Sequence, residues 1–184
     1  DEVKAFRKAC GRAHMKTILA TGELKTLRTV AKASAVCMMA GADFIKTSTG
    51  KEPVNATLPV SLVMIRMIRE YFQATGHRVG FKPAGGISTA KDALGYLFLI
   101  NEELGRRWLE PDLLRFGASS LLGDIERQLS HSVTGSYAVG GAAAGAVGIG
   151  SALGGPVMGH LADRVGQRAV LLVSALAHAV AIGV

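Results

Sequence analysis

An α/β fold with parallel strands is predicted for residues 1–137, followed by an apolar tail in residues 138–184. Up to about residue 130, short apolar runs alternate with longer amphipathic stretches, a pattern typical of repeated βα units. Charged residues are frequent in this part, whereas residues 139–159 contain none. The chain has 184 residues, 49% of them hydrophobic, which is enough to form a core.

The elements follow in a regular order along the chain. An amphipathic helical pattern is present from the first residues, carried by Val3, Phe6, Cys10 and Ala13. Because this pattern starts at Asp1, we expect the sequence to begin partway through a helix and to be a fragment. Four strands are then predicted, at Met15–Ala20, Asp43–Thr47, Arg78–Lys82 and Arg115–Ala118. The helices between and after them are predicted at Leu27–Ala40, Leu58–Thr75, Thr89–Leu104 and Ser120–Leu129.

Four parallel strands with covering helices fit either half of a (β/α)8 barrel or a small doubly wound sheet, and periodicity does not choose between them. In a barrel, side chains at the C-terminal ends of the strands converge on one site. The ends of the successive predicted strands carry Glu23, Lys46, Lys82 and Ser119. These chemically active residues favour the partial barrel.

A lysine ends the second predicted strand, within Gly41-Ala-Asp-Phe-Ile-Lys-Thr-Ser-Thr-Gly-Lys51. Lys46 is therefore a candidate nucleophile. An amine attacks a carbonyl only when it is deprotonated, so a desolvated position or a neighbouring cation is needed. Lys82 is predicted at the corresponding position of the next strand, about 4.8 Å away, and would supply that cation. The alternative is that both lysines merely extend from strand ends into solvent.

Glycines and serines follow the predicted strands and precede helices. Backbone N–H groups at helix N-termini bind phosphate, and in barrels the last two βα loops commonly build such a site. Any one of these glycines alone is more simply a turn residue. Together with Lys51, the set predicts an anion site whose other members are Gly50, Gly85, Gly86, Gly117, Ser119 and Ser120.

The composition argues against several other functions. The net charge of +7 comes from scattered lysines and arginines without interleaved aromatic residues, so nucleic acid is not an expected partner. A basic enzyme acting on anionic, phosphorylated substrates fits better. Gly50 and Lys51 do not form a Walker A loop, because Glu52 follows and the upstream glycine is missing.

Metal or disulfide chemistry is not expected either. Cys10 and Cys37 lie at unrelated positions within apolar helical stretches, which favours a reducing, cytoplasmic setting for residues 1–137. The histidines at positions 14, 77 and 131 stand alone and are expected to be surface or packed residues.

Four motifs resemble the deoxyribose-phosphate aldolase family of class I, Schiff-base aldolases. They are Thr17-Ile-Leu-Ala-Thr-Gly-Glu-Leu24, Asp43-Phe-Ile-Lys-Thr-Ser-Thr-Gly-Lys51, Gly80-Phe-Lys-Pro-Ala-Gly-Gly-Ile87 and Arg115-Phe-Gly-Ala-Ser-Ser-Leu121. The resemblance covers residues 1 to about 137 and implies the last four βα units of a (β/α)8 TIM barrel. It also implies an enzyme without metal or organic cofactor that reversibly cleaves 2-deoxy-D-ribose 5-phosphate to D-glyceraldehyde 3-phosphate and acetaldehyde.

The resemblance also assigns roles to individual residues. It makes Lys46 the Schiff-base lysine and Lys82 the neighbour that assists proton transfer. The phosphate of the sugar is assigned to Gly50, Lys51, Gly85, Gly86, Gly117, Ser119 and Ser120. The implied partners are a phosphorylated deoxy sugar and small aldehydes, and a homo-oligomer is a further expectation.

The sequence departs from the family in what precedes it. A family member has four more βα units upstream, one of which carries an aspartate that works with the second lysine. Half a barrel exposes two sheet edges and an unfilled interior. We therefore expect this chain alone to fold poorly or to associate, and to have little or no aldolase activity.

The tail is predicted to form one complete and one truncated transmembrane helix. The uncharged stretch Val139–Gly159 has about the ~20 residues that cross a bilayer. Its glycines spaced four apart permit close helix packing. A second apolar run begins at Ala169 and ends with the chain. The alternative is a buried helical hairpin rich in alanine and glycine.

Between these runs, Gly159-His-Leu-Ala-Asp-Arg-Val-Gly-Gln-Arg168 resembles the cytoplasmic loop motif of the major facilitator superfamily of transporters, with Gln167 departing from the usual basic residue. The resemblance implies membrane contact through residues 139–184. Two incomplete spans do not make a transport path, so no transport is expected. An erroneous joining of adjacent genes explains the fusion more simply than a designed membrane tether.

Two rival functions stay open on the sequence alone. One is a different Schiff-base aldolase barrel that acts on another phosphorylated sugar. The other is a membrane-associated protein without catalysis, in which the half barrel is inert.

Overall fold

Three short parallel strands form a sheet in the computed structural model of the chain, which describes residues 1–134. β1 is Lys16–Ile18, β2 is Phe44–Lys46 and β3 is Gly80–Lys82, in the spatial order of the sequence. Each observed strand lies within its predicted range. The register pairs Ile18 with Lys46 and Lys46 with Lys82, so the two lysines occupy equivalent positions on neighbouring strands.

Helices precede the sheet and follow its strands, and a short 3-10 helix at Arg106–Leu109 leads towards the last unit. They are α1 at Glu2–Cys10, α2 at Leu27–Met39, α3 at Leu58–Thr75, α4 at Ala90–Leu104 and α5 at Leu121–Thr134. The predicted bounds of the three middle helices are confirmed to within one residue. α5 starts one residue after its predicted beginning and continues past Leu129.

A threonine explains where each of these three middle helices begins. The hydroxyl oxygens of Thr26, Thr57 and Thr89 accept the backbone N–H three residues later, in α2, α3 and α4 respectively. At the start of α4 the carboxylate of Asp92 also accepts the N–H of Thr89, which completes a capping box. Such caps satisfy the backbone donors that a helix leaves open at its N-terminus.

The hydrophobic core lies between the sheet and the helices. Alternate strand residues point to opposite faces, and Ile45 and Phe81, which are 0% and 1% exposed, point towards the helices. α3 supplies Met64, Ile65 and Ile68 to the same cluster and packs against both α2 and α4. This layer fixes the positions of β2 and β3, the strands that end in the two lysines.

The opposite face of the sheet carries Lys16, Ile18, Phe44 and the two strand-end lysines. Ile18 is 47% exposed, because none of the described residues covers this face at that point. Phe44 is nevertheless buried, with the Lys16 Nζ atom 5.1 Å from its ring centroid. In a complete barrel this face would line the interior.

The predicted fourth strand, Arg115–Ala118, is wrong as a continuous strand. Residues 113–117 run parallel to β3, but they form only two isolated bridges, Phe81 with Leu114 and Ala84 with Gly117. The gap between the bridges coincides with Pro83, which has no N–H to donate to Arg115. The bonds on either side stay in one register, from Arg115 N to Phe81 O at 3.1 Å and from Gly117 N to Pro83 O at 2.8 Å.

The chain divides into two compact units, residues 1–125 and residues 126–184. Of the second unit, residues 126–134 are described, and they form the C-terminal part of α5. The predicted boundary between residues 137 and 138, the transmembrane segments and the transporter-like motif all lie outside the described residues. Within residues 1–134, no helix combines the length and the apolar character needed to cross a membrane.

Candidate active site

Two lysines end neighbouring strands on the same face of the sheet. Lys46 closes β2, Lys82 closes β3, and the register places them directly side by side. Paired residues of adjacent parallel strands point to the same side, at a strand spacing of about 4.8 Å. Both side chains are partly exposed. This pair lies on the uncovered face, beside Ile18 at the end of β1.

The environment of Lys82 lowers its pKa below the ordinary value of lysine. Burial is the largest cause, followed by the positive charges of Lys16, Lys46 and Arg115. A lysine in such surroundings gives up its proton more readily than a free lysine, which suits a group that exchanges protons during a reaction.

Sequence reasoning missed Lys16 and Arg115 as parts of this cationic cluster. The guanidinium carbon of Arg115 lies 6.0 Å from the ring centroid of Phe44, the same ring that Lys16 approaches. The alternation of strand residues offered a signal for Lys16, because it lies two residues before Ile18 and therefore on the same face. No comparable signal marked Arg115, which precedes the second isolated bridge.

A cavity of about 350 Å³ opens among the loops that follow β2, β3 and residues 113–117. All seven residues predicted to bind an anion line it. The complete lining is Thr49, Gly50, Lys51, Gly85, Gly86, Ile87, Ser88, Gly117, Ala118, Ser119 and Ser120. The structure thus brings together loops that are separated by up to about seventy residues in the sequence.

The cavity and the lysine pair meet near Gly117. A side-chain carbon added at Gly117 would lie 3.3 Å from Cε of Lys82 and would overlap the side chain of Ala84. The side chain of Lys82 therefore passes close to the cavity wall. One end of a bound molecule could lie among the glycine loops while its other end reaches the lysines.

Buried hydroxyl groups join the first two of these loops. Thr47 and Ser48 are fully buried, and their hydroxyl oxygens lie 3.1 Å and 2.7 Å from the carbonyl oxygen of Ala84. Asn55 extends the connection, with Oδ1 2.8 Å from the Ser48 hydroxyl and Nδ2 donating to the carbonyl of Glu52 at 2.7 Å. These positioning residues were not predicted; their signal was a run of small hydroxyl residues directly after an apolar strand.

The start of α4 is already occupied by carboxylates. Asp92 accepts the amides of Ser88 and Thr89, and Asp124 of α5 accepts the amide of Ala90 at 2.8 Å. An anion in the cavity would therefore rely on the glycine loops and on Lys51 more than on the first turn of α4.

Replacing Gly85 with alanine should disrupt this arrangement. Gly85 has a φ of +85°, and a Cβ there would come within 2.6 Å of the Asn55 side chain. The left-handed backbone and the overlap together should lower the free energy of unfolding by about 2–4 kcal/mol. Urea denaturation of the variant measures this loss.

Gly76→Ala is the matched control for Gly85→Ala. Gly76 also has a positive φ, +73°, but no atom lies within 4 Å of its added Cβ. It should lose only the backbone contribution of about 1 kcal/mol. Equal losses in the two variants would contradict the close approach between Gly85 and Asn55.

Glu23 does not join the site. It is exposed in the turn after β1 and does not line the cavity. Within residues 1–134, no three side chains of His, Cys, Asp or Glu come together in a way that would hold a metal ion.

The family model of the DeoC/LacD family aldolases matches residues 1–101 of the chain. The mouse deoxyribose-phosphate aldolase is 70% identical over 138 residues, which are 75% of this chain and 43% of the mouse protein. The human deoxyribose-phosphate aldolase is 67% identical over the same shares of the two chains. The chain thus spans less than half the length of these relatives.

A solved structure shares the fold. The apo-form crystal structure of a candidate deoxyribose-phosphate aldolase from Toxoplasma gondii superimposes with a TM-score of 0.62 at 27% sequence identity. The superposition covers 67% of this chain and 48% of the Toxoplasma chain. The described sheet and helices therefore correspond to about half of an aldolase barrel.

Proposed function

The chain belongs to the DeoC/LacD family of aldolases, and on this premise we propose that it forms the part of a 2-deoxyribose-5-phosphate aldolase that carries the Schiff-base lysine. The substrate is 2-deoxy-D-ribose 5-phosphate, and the products are D-glyceraldehyde 3-phosphate and acetaldehyde. The observation that carries the proposal is the side-by-side position of Lys46 and Lys82 at the ends of β2 and β3, next to a cavity lined with glycines.

Lys46 is the nucleophile in this proposal. Its neutral amine attacks the C1 aldehyde of the open-chain sugar, and uptake of one proton with loss of water leaves a protonated imine. Removal of the proton from the C3 hydroxyl then breaks the C2–C3 bond. The electron pair of that bond moves into the imine and forms an enamine, while C3 leaves as the aldehyde of D-glyceraldehyde 3-phosphate. Protonation of the enamine at C2 and addition of water release acetaldehyde and the free amine.

Lys82 exchanges protons in these steps. Its lowered pKa, caused first by burial and then by the surrounding positive charges, supports this role. The group is also close enough to the cavity wall at Gly117 to reach a sugar held there.

The cavity residues bind the phosphate of the sugar. Lys51 contributes a positive charge at the rim, and the glycine loops contribute backbone N–H groups. The hydroxyl groups of Ser119 and Ser120 lie in the same lining. This set supports a phosphorylated substrate over a neutral sugar.

A polypeptide of residues 1–184 alone should turn over little substrate, because the face that carries the lysines is incompletely covered by the described residues. A chimera in which the upstream part of the mouse relative precedes residue 1 should release acetaldehyde from 2-deoxyribose 5-phosphate. A coupled assay with alcohol dehydrogenase and NADH measures that release.

The same assay also distinguishes this proposal from a Schiff-base aldolase that acts on another sugar. Turnover by residues 1–184 alone at the rate of the chimera would contradict the need for a complete barrel. A chimera that cleaves another phosphorylated sugar but leaves 2-deoxyribose 5-phosphate intact would assign the site to a different Schiff-base aldolase.

A further inference from the structure

The carboxylate of Glu52 fills the concave side of the loop that follows β2. Its Oε2 atom accepts the backbone N–H groups of Thr49 and Gly50 at 3.1 Å each and that of Lys51 at 3.2 Å. The hydroxyl of Thr49 donates to the same oxygen at 2.9 Å, and Oε1 lies 3.1 Å from the Thr49 amide. Three consecutive amides therefore converge on one negatively charged group.

These amides belong to residues that border the cavity. Thr49, Gly50 and Lys51 all line it, whereas Glu52 does not. Gly50 has a φ of +93°, a conformation that turns the loop so that successive N–H groups face one point. We call these three N–H groups, of Thr49, Gly50 and Lys51, the amide cradle. Such a cradle accepts any small anion with suitably placed oxygen atoms, whether a carboxylate or a phosphate.

We propose that Glu52 is an internal competitor for the substrate phosphate, holding the amides of Thr49, Gly50 and Lys51 when the cavity is empty and leaving them when a phosphate monoester binds. The inference rests on the proposed function, because it takes the cavity to be the phosphate site. It adds to that function a gate, in which the substrate phosphate must displace the Glu52 carboxylate from these amides.

Charge and accessibility make this exchange feasible. The backbone N–H of Thr49 is the largest cause of a pKa of about 2 for Glu52, so the carboxylate stays ionised at neutral pH. Its residue is partly exposed, so the side chain can rotate into solvent without crossing the core. A dianionic phosphate is the stronger ligand for the shared amides, and its charge also repels the carboxylate.

The expected gain in phosphate affinity follows from the fraction of molecules in which Glu52 does not occupy the amide cradle. If Glu52 occupies the amides for about nine-tenths of the time, the apparent affinity for phosphate is weakened about tenfold. Glu52→Gln removes the charge and keeps the shape of the side chain, and Glu52→Ala removes the competitor entirely.

The test is the binding of inorganic phosphate to the 184-residue chain and to the chimeric barrel, measured by isothermal titration calorimetry at constant ionic strength. At least one of Glu52→Gln and Glu52→Ala should bind phosphate about tenfold more tightly than the wild type. Glu70→Gln, which removes the same charge from an exposed position on α3, should leave the affinity within about twofold. Both variants at Glu52 are measured, because a single substitution that loosens the loop would weaken phosphate binding for an unrelated reason.

Two outcomes would overturn the inference. One is phosphate binding by the wild type that neither variant strengthens. The other is the absence of phosphate binding in every chain, which would also remove the proposed phosphate site. Reductive trapping of acetaldehyde at Lys46 needs no phosphate, so it reports on the Schiff-base chemistry separately from this gate.

Discussion

Lys46→Met should abolish turnover in the chimeric barrel, lowering kcat by about 10⁴-fold or more, in line with the loss of a covalent nucleophile in other enzymes. Methionine keeps the apolar stem of the side chain but has no amine, so no imine can form. The fold should survive, because the side chain of Lys46 is partly exposed on the uncovered face and contributes little to the core. The coupled acetaldehyde assay measures the loss.

Lys32→Met is the control for this substitution. Lys32 is an exposed lysine on α2, on the outer side of the helix layer, and its replacement should leave kcat within about twofold. A Lys46→Met barrel that kept a tenth of the wild-type turnover would show that the reaction does not pass through this amine.

Lys82→Met should lower turnover by about 10²- to 10⁴-fold, the usual contribution of a general acid or base, while making the protein more stable at neutral pH. Folding lowers the pKa of Lys82 below its ordinary value of 10.5. Between the lowered pKa and 10.5 the unfolded chain therefore binds more protons than the folded chain. The contribution of Lys82 to the free energy of unfolding therefore rises with pH through this window, and below it the partly desolvated ammonium opposes folding.

Thermal unfolding across a pH series tests the second half of this prediction. The midpoint of Lys82→Met should exceed that of the wild type at pH 7, and the difference should shrink as the pH approaches 10.5. Lys82→Arg is the matched control, because it keeps the positive charge but holds its proton. It should lose turnover without gaining stability. A Lys82→Met variant that is less stable than the wild type at pH 7 would identify Lys82 as a structural residue.

The sequence was most informative where one residue type dictates local geometry. The apolar periodicity of α3 predicted its bounds at Leu58 and Thr75, and the structure explains that start by the cap of Thr57. The equivalent positions of Lys46 and Lys82 on neighbouring strands could be predicted, because each lysine ends a short apolar run that was assigned to a strand of a parallel sheet. Both signals are local, so they survive without knowledge of the tertiary structure.

Features that depend on two distant segments were harder to predict. The broken pairing beside β3 depends on the register of residues 113–117 and on the missing N–H of Pro83. The proline can be read from the sequence, whereas the register is a property of the tertiary structure. The cationic cluster around Lys82 combines Lys16 from β1 with Arg115 from the last unit. Its members are about a hundred residues apart, and no periodic pattern links them.

The seven anion-site residues illustrate both cases. Glycines and serines that follow the predicted strands indicated each loop separately, and the structure places all three loops around one cavity. No sequence pattern indicated that Glu52 would face the amides of its own loop, because that contact depends on the backbone conformation at Gly50. The sequence around Glu52 indicated only that Gly50 and Lys51 do not belong to a Walker A loop.

Peptide mapping after borohydride reduction in the presence of acetaldehyde tests the central claim most directly. The claim is that the amine closing β2 forms the imine, with a second lysine beside it. In both the 184-residue chain and the chimera, mass spectrometry should find the added ethyl group on Lys46 in excess over every other lysine. An ethyl group on Lys82 or on surface lysines, with Lys46 unmodified in the chimera, would contradict the account.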